Sequence, residues 1–345
     1  MVLSESPEDD EWDEYLARHP LGHHEQTCGF ARIRRAHRFD AFRIVARDRG
    51  AVVGGAQVLV RRTPAGRFAL VPQGPVFDSD EAARAIVSAL DDRARSAGID
   101  WLRIVAYGNQ ERIAAACRTH GFAPGGGTWF DEQSALIDLS LDEQRLLEGM
   151  HKKSRYNVKY AIRQGVVVEA GGEADVEEFH RLLSGTATSK AFPVLPAGYF
   201  AHLWRLFGGR GKLHLLVARH QGKAVAARVD TIVGDVACAN WSAVERVKPD
   251  VKANYLIEWE AIRRAKALGC RWLDVGGVSL DPGDSVSQFK LAFGGRAVRY
   301  PDPVDKFYGA AAGPRRALFR LSWKVGWMRR KTLSLKNRLY GRMAY

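Results

Sequence analysis

The spacing of apolar residues changes along this chain, and each change marks an element. In AFRIVARDRGAVVGGAQVLVRR (41–62) apolar and polar positions alternate on either side of Arg49-Gly50, which predicts a β-hairpin. RFALVPQGPVF (67–77) reads as a further strand. In EAARAIVSALDDRARSAG (81–98) the apolar residues return every three or four places until Gly98, the pattern of an amphipathic helix. IDWLRIVAY is again a strand, and ERIAAACRTHGF a short helix closed at Gly121. The stretch from Asp138 to Gly165 carries a helix into a second, similar series. There DVEEFHRLLSGTATS and PAGYFAHLWRLF are helical, and KLHLLVARHQGKAVAARVDTIV is a hairpin turned at Gln221-Gly222. ANYLIEWEAIRRAKALG is a long helix and CRWLDVGG a strand. Both halves therefore read hairpin, helix, strand. The repeat lies in element order rather than in residues, and it predicts a mixed α/β sheet in each half.

Length and charge add to this picture. A chain of 345 residues exceeds what one core organises, so two domains are expected. The boundaries are placed at 1–144 and 145–298, with a basic segment over 299–345 that returns to the first domain. The formal net charge of +13 favours polyanions as partners: nucleic acid, nucleotide phosphates or an anionic membrane. From Gly313 onward the chain holds no Asp or Glu, while Leu318, Leu321, Trp323, Val325, Trp327 and Met328 alternate with cations. That helical pattern suits an anionic lipid surface, a tRNA, or simple docking on the first domain. Cys28, Cys117, Cys238 and Cys270 lie far apart with no CxxC pair, which fits a reducing compartment and argues against a thiolate zinc site. The acidic start MVLSESPEDDEWDEY lacks the order of a signal peptide, and no apolar run approaches the roughly 20 residues of a span. A cytoplasmic protein is expected, with the inner face of the plasma membrane as the place where its tail would hold it.

Four local patterns invite chemistry. In HKKSRYNVKYAIRQG (151–165) Lys152, Arg155, Lys159 and Arg163 fall on one helix face, with Met150, Val158, Ala161 and Ile162 left for packing. No acid relieves the repulsion among these cations, so phosphate contact competes with a merely solvated face. In SQFKLAFGGRAVRY, Lys290 stands after Phe289 and before Gly294-Gly295, where an ammonium could sit over a pocket and stabilise a developing oxyanion. RHQGKA mimics the RxxGxA pyrophosphate loop of acetyl-CoA-dependent enzymes. It lies at a hairpin tip instead of between a strand and a helix, so that reading is rejected. His23-His24-Glu25 has no second cluster at metal-ligand spacing, and Ser242 and Ser287 lack a nucleophile elbow.

Taken in order, HHEQTCGFARIRR, ALVPQGPVFD, KKSRYNVKYAIRQGVVV, NYLIEWEAIRRAKALGCRWLDVGGV and SQFKLAFGG resemble recurrent segments of the Fem family. Its members are peptidyltransferases that build the peptidoglycan cross-bridge from aminoacyl-tRNA. The resemblance spans nearly the whole chain. It implies two acetyltransferase-like domains facing across a cleft, and, with no heptad stretch present, the compact form without a coiled-coil arm. It further implies attack by an amine of a precursor stem peptide on the ester carbonyl of aminoacyl-tRNA, with no metal and no cofactor. Phe289 and Lys290 fall on the family's Phe-Lys pair, so Lys290 would stabilise the oxyanion or the leaving ribose oxygen and Phe289 would pack on the terminal adenosine. The family's Gln-x-x-x-Trp with a lysine four residues on becomes Gln26, Phe30 and Arg34, and Arg34 would meet a precursor pyrophosphate. Tyr107 and Asn109 fall at the precursor site, where no carboxylate stands as a base. Lys190, Tyr199, Asn240 and Trp241 fall on substrate positions of the second domain, with Lys190 in place of an arginine. Lys152, Lys153, Arg155, Lys159 and Arg163 would face tRNA. The implied partners are aminoacyl-tRNA and a nucleotide- or lipid-linked precursor, not DNA, with the chain acting as a monomer.

Three other readings compete with that one. The same tRNA donor could serve an acceptor in a peptide-antibiotic pathway, which the changed precursor-site residues leave open. An acyl-donor N-acyltransferase would need the pyrophosphate loop that is missing. A basic scaffold for RNA or lipid would have no use for Phe289-Lys290.

Overall fold

The computed structural model describes residues 2–309 apart from 6–9, 38, 64–65, 109, 126–132, 191, 246 and 280–282. Asn109 and the basic tail from Gly313 lie outside the described residues. Two compact units divide the chain; within the described residues one holds 2–132 and 299–309, the other 133–298.

The first unit runs β1 (Val2–Glu5), α1 (Asp10–Arg18), α2 (Cys28–Ala36), β2 (Asp40–Asp48), β3 (Ala51–Thr63), β4 (Gly66–Pro72), β5 (Val76–Phe77), α3 (Asp80–Ser96), β6 (Trp101–Val105), α4 (Gln110–Thr119) and β7 (Ala123–Pro124). The second runs β8 (Gln133–Asp138), α5 (Glu143–Gly149), α6 (Lys152–Arg163), β9 (Val167–Ala170), α7 (Val176–Lys190), α8 (Ala197–Phe207), β10 (Leu213–His220), β11 (Lys223–Val233), β12 (Val236–Val244), α9 (Ala253–Ala267), β13 (Trp272–Gly277), α10 (Ser285–Leu291) and β14 (Arg296–Arg299). A last strand, β15 (Val304–Phe307), returns to the first sheet.

The first sheet has the order β1-β2-β3-β4-β6-β15-β7, with β5 beside β3; the second has β14-β8-β13-β12-β11-β10-β9. Each contains antiparallel hairpins and one parallel pair joined across a helix: β4 with β6 around α3, and β12 with β13 around α9. The mixed α/β architecture in both halves is thus as the element order predicted, and both expected hairpins are present. Helix α3 illustrates why such segments fold as they do. Ser79 caps it by accepting from the Ala82 N–H, Asp80 and Glu81 face its positive end, and Ala82, Ala83, Ile86, Val87, Leu90 and Ala94 form its buried stripe.

Three expectations need correction. Residues 67–77 are not one strand: Gln73 takes a left-handed φ of 51° between Pro72 and Pro75, so β5 leaves β4 and pairs with β3. Asp138 to Gly165 is not one helix, because the chain breaks between Gly149 and His151 into α5 and α6. The second unit begins at Gln133 rather than at 145, since β8 pairs with β13.

Strand β15 brings a buried charge pair into the first unit. Asp305 accepts from Arg103 Nε at 2.7 Å, Arg103 Nη2 at 2.8 Å and Trp101 Nε1 at 3.0 Å, with both charged side chains fully enclosed. Nearby, Asp91 accepts from Tyr308 Oη at 2.8 Å and faces Lys306 Nζ at 2.7 Å.

Candidate active site

In the second sheet the parallel ladder between β12 and β13 stops at Cys238 and Asp274. The carboxyl ends of parallel strands are where α/β sheets place ligands. Asn240 is the extra residue of a β-bulge, because Trp241 lies opposite Val229 while Ala239 lies opposite Asp230. Its Nδ2 donates to Thr231 Oγ1 at 2.7 Å and to the Cys238 carbonyl at 3.2 Å, which holds the amide toward β11. On the other strand Asp274, buried, accepts from Ser134 Oγ and from the Gly276 N–H at 2.8 Å.

Lys290 reaches the end of β13 from α10. Its Nζ donates to the Gly277 carbonyl at 2.7 Å. Gly276 has φ of 74°, and a side chain there would meet the Ala239 carbonyl at 3.1 Å and Lys290 Nζ at 3.5 Å. The glycine is thus required by the left-handed backbone and the close Ala239 carbonyl, while the ammonium lies at ordinary contact distance. Gly276→Ala is expected to lower stability by about 1–2 kcal/mol in urea unfolding, from the left-handed backbone alone. A loss under about 0.3 kcal/mol would show that the site relaxes around a methyl.

Helix α10 is itself held firmly at its start. Asp284 accepts from the Val286 and Ser287 N–H groups and from Ser287 Oγ, and these hydrogen bonds, with Lys290 contributing, keep its carboxyl below the usual range. At the other end the His151 N–H donates to the Ala292 carbonyl at 2.9 Å, joining α6 directly to α10. Gly294, at φ of 90°, lies so close to Gly149 that a side chain would meet its carbonyl at 3.1 Å. The two segments that looked most chemical in the sequence thus meet in one place. Phe289 packs edge-on against Tyr255 at 5.0 Å and Phe293 at 5.2 Å.

The cations of α6 separate into two groups. Lys152, Lys153, Lys159 and Arg163 are exposed. Arg155 turns back, its Nη1 donating to the carbonyls of Leu147, Glu148 and Met150, where it caps α5. It departs from the expected stripe because its guanidinium reaches back to the end of α5, sharing the Leu147 carbonyl with the Met150 N–H. Met150, Val158 and Ala161 are buried as expected, but Ile162 is 56% exposed.

Among the other residues expected in the second unit, Tyr199 is enclosed at 1% exposure and packs edge-on against Phe200 and Trp241. It supports Trp241 from behind instead of presenting a surface. Lys190 is exposed at the end of α7. Tyr199 and Trp241 are brought together, whereas the Asn240 amide is held toward Thr231 of β11. RHQGKA is the β10–β11 hairpin tip, with Gln221 and Gly222 at positive φ, so it opens no helix.

In the first unit, Arg34 Nη2 donates to Glu25 Oε1 at 3.2 Å, and the guanidinium lies 4.7 Å from the Phe30 ring centre. Burial pushes the Glu25 carboxyl above its ordinary value, with Arg34 pulling the other way. The Tyr107 ring lies tilted against His23 at 4.9 Å and Tyr300 at 5.3 Å. Gln26 is wholly buried and bonds the backbone of Gln57 and Pro72, a structural hub beneath the Arg34 helix. Nothing in the sequence marks Glu25 as a buried carboxylate, since its separation of nine residues from Arg34 gives no helical signal.

Comparison with known proteins bears on both units. A family model for an acetyltransferase (GNAT) domain matches residues 151–291. The solved structure of FemX superposes with a TM-score of 0.82 at 15% identity, covering 93% of this chain and 99% of that one. A tandem GNAT protein from the clavulanic acid biosynthesis pathway gives a TM-score of 0.56 at 14% identity, covering 89% and 99%. The lipid II:glycine glycyltransferase of Staphylococcus aureus is 22% identical over 234 residues, 64% of this chain and 56% of that protein. The chain thus spans little more than half the length of this relative. The resemblance to Fem proteins read from the sequence is borne out, and the fold is a pair of GNAT-like units.

Proposed function

We propose that this protein is an aminoacyltransferase that moves an amino acid from aminoacyl-tRNA to an amine of a peptidoglycan precursor stem peptide. The observation that carries the proposal is the Lys290 ammonium, seated by α10 on the Gly277 carbonyl at the carboxyl end of β13. The amine nitrogen attacks the ester carbonyl, a tetrahedral oxyanion forms, and its collapse makes the amide while the ester C–O bond breaks. The ribose oxygen leaves with a proton, and the attacking amine gives one up. Lys290 stabilises the charge on the oxyanion or on the leaving oxygen. Phe289 holds the terminal adenosine against the ring cluster, and Asn240 and Trp241 border the aminoacyl group.

In the first unit Arg34 takes the precursor pyrophosphate, with Glu25 fixing its orientation and Tyr107 flanking the site. Lys152, Lys153, Lys159 and Arg163 take tRNA phosphates, and Lys190 serves the precursor. The name of the staphylococcal relative supports a lipid-linked acceptor and glycine as the residue moved. A charged total-tRNA pool offered with nucleotide- and lipid-linked precursors tests the proposal by product mass. Product formed without tRNA, or from acyl-CoA and insensitive to RNase, would overturn it. The double change Lys159→Glu, Arg163→Glu is expected to weaken tRNA binding about tenfold or more at 0.1 M salt and to flatten its salt dependence. Equal binding at every salt concentration would return this helix face to simple solvation.

A further inference from the structure

Helix α6 carries more than charge on its open face. Tyr156 is 59% exposed, and it shares that face with Lys152, Lys159, Tyr160 and Arg163. Its ring stacks with Tyr160 at 6.3 Å and 26°, and the Arg163 guanidinium lies 5.8 Å from its centre. The buried side of the helix is made by Ser154, Asn157, Val158 and Ala161, so neither ring is needed for the core. Beside Lys290 stands a second ring cluster of the same unit, where Tyr255 packs edge-on against Phe289, both partly buried against the core. All of these residues belong to the second unit.

From this arrangement we infer that the α6 face receives a single-stranded RNA end, with Tyr156 as the first platform on which an unpaired base stacks. The inference rests on the tRNA reading above and says which part of the tRNA meets this helix. A duplex offers its phosphates to the lysines but hides the faces of its bases. An unpaired base has a π-face open, and rings interleaved with cations are what bind it without regard to sequence. No acid of α6 opposes either group. Tyr156 therefore selects the unpaired 3′ end of the acceptor arm.

The test uses the full chain and fluorescence anisotropy with two probes, a four-nucleotide single-stranded RNA ending in CCA and a blunt RNA duplex. Tyr156→Ala is expected to weaken the single strand about five- to hundredfold while duplex binding stays within about twofold. Tyr156→Phe should restore the single-strand affinity, because the ring and not the hydroxyl stacks. Lys152→Gln with Lys159→Gln should weaken both probes and reduce the salt slope by about 0.7 per lysine on the single strand. Unchanged single-strand affinity in Tyr156→Ala, or an equal loss on both probes, would sink the inference. If wild-type transfer is RNase-sensitive while Tyr156→Ala transfers and binds normally, the inference falls and the tRNA reading stands. If the wild type binds neither probe and transfer is insensitive to RNase, both fall.

Discussion

Replacement of Lys290 by methionine is expected to slow amide formation about 10²- to 10³-fold, the loss that follows removal of one preorganised oxyanion donor. Methionine keeps the length and apolar stem of lysine, so α10 stays in place. Its N-terminus is secured by Asp284 and Ser287 and its far end by the His151 N–H, none of which depends on the ammonium. Tyr255, Phe289 and Phe293 also keep their mutual packing. The variant should therefore bind RNA as the wild type does and fail in the chemical step. Single-turnover measurement with preloaded aminoacyl-tRNA separates the two effects. Arginine is not expected to rescue, because its broad planar fork cannot occupy the same point against Gly277. A Lys290→Met rate within about tenfold of wild type would remove Lys290 from the mechanism.

The second large effect concerns stability. Asp305→Ala should cost about 3–5 kcal/mol in urea unfolding, because it leaves the Arg103 guanidinium enclosed with its principal counter-charge gone. The side chain is 2% exposed, so water cannot take over the lost hydrogen bonds without opening the sheet. Trp101 would lose its acceptor at the same time. Combining Arg103→Met with Asp305→Leu should recover most of the loss, since an apolar pair of similar volume often matches a buried ion pair. A single change that costs under about 1 kcal/mol would mean the pair is not held as tightly as its 2.7 and 2.8 Å contacts indicate.

What could be read from the sequence was what depends on near neighbours. The hairpins at Arg49-Gly50 and Gln221-Gly222 have their turn residues beside alternating strands, and α3 and α9 have full apolar stripes with stops at Gly98 and Gly269. The Phe289-Lys290 pair and the α6 cations were visible as motifs, and rejection of RHQGKA needed only the strand on either side. What escaped is what distant segments make together. The pairing of β15 with β6 joins residues about 200 apart in sequence, and nothing in VDKF announces it. Arg155 was read as one more cation because the helix periodicity places it on the stripe, yet three carbonyls of α5 claim it. Tyr199 occupied a motif position but points into an aromatic core, and periodicity in a helix as apolar as PAGYFAHLWRLF does not tell which ring is enclosed. The glycine pair after Lys290 was legible as a turn, but its closeness to Gly149 was not.

The return of β15 has a consequence for how the protein is made on the ribosome. Domains generally fold in the order in which they emerge. Here the second unit has all its described strands once residue 299 is out, whereas the first, although synthesised earlier, still lacks the strand between β6 and β7. Until Asp305 emerges, the Arg103 guanidinium lacks the carboxylate that it meets in the finished sheet. The sheet of the first unit can be completed only once residues 304–307 are out, eight residues after the last strand of the second, so the unit begun first cannot be the first to have all its strands.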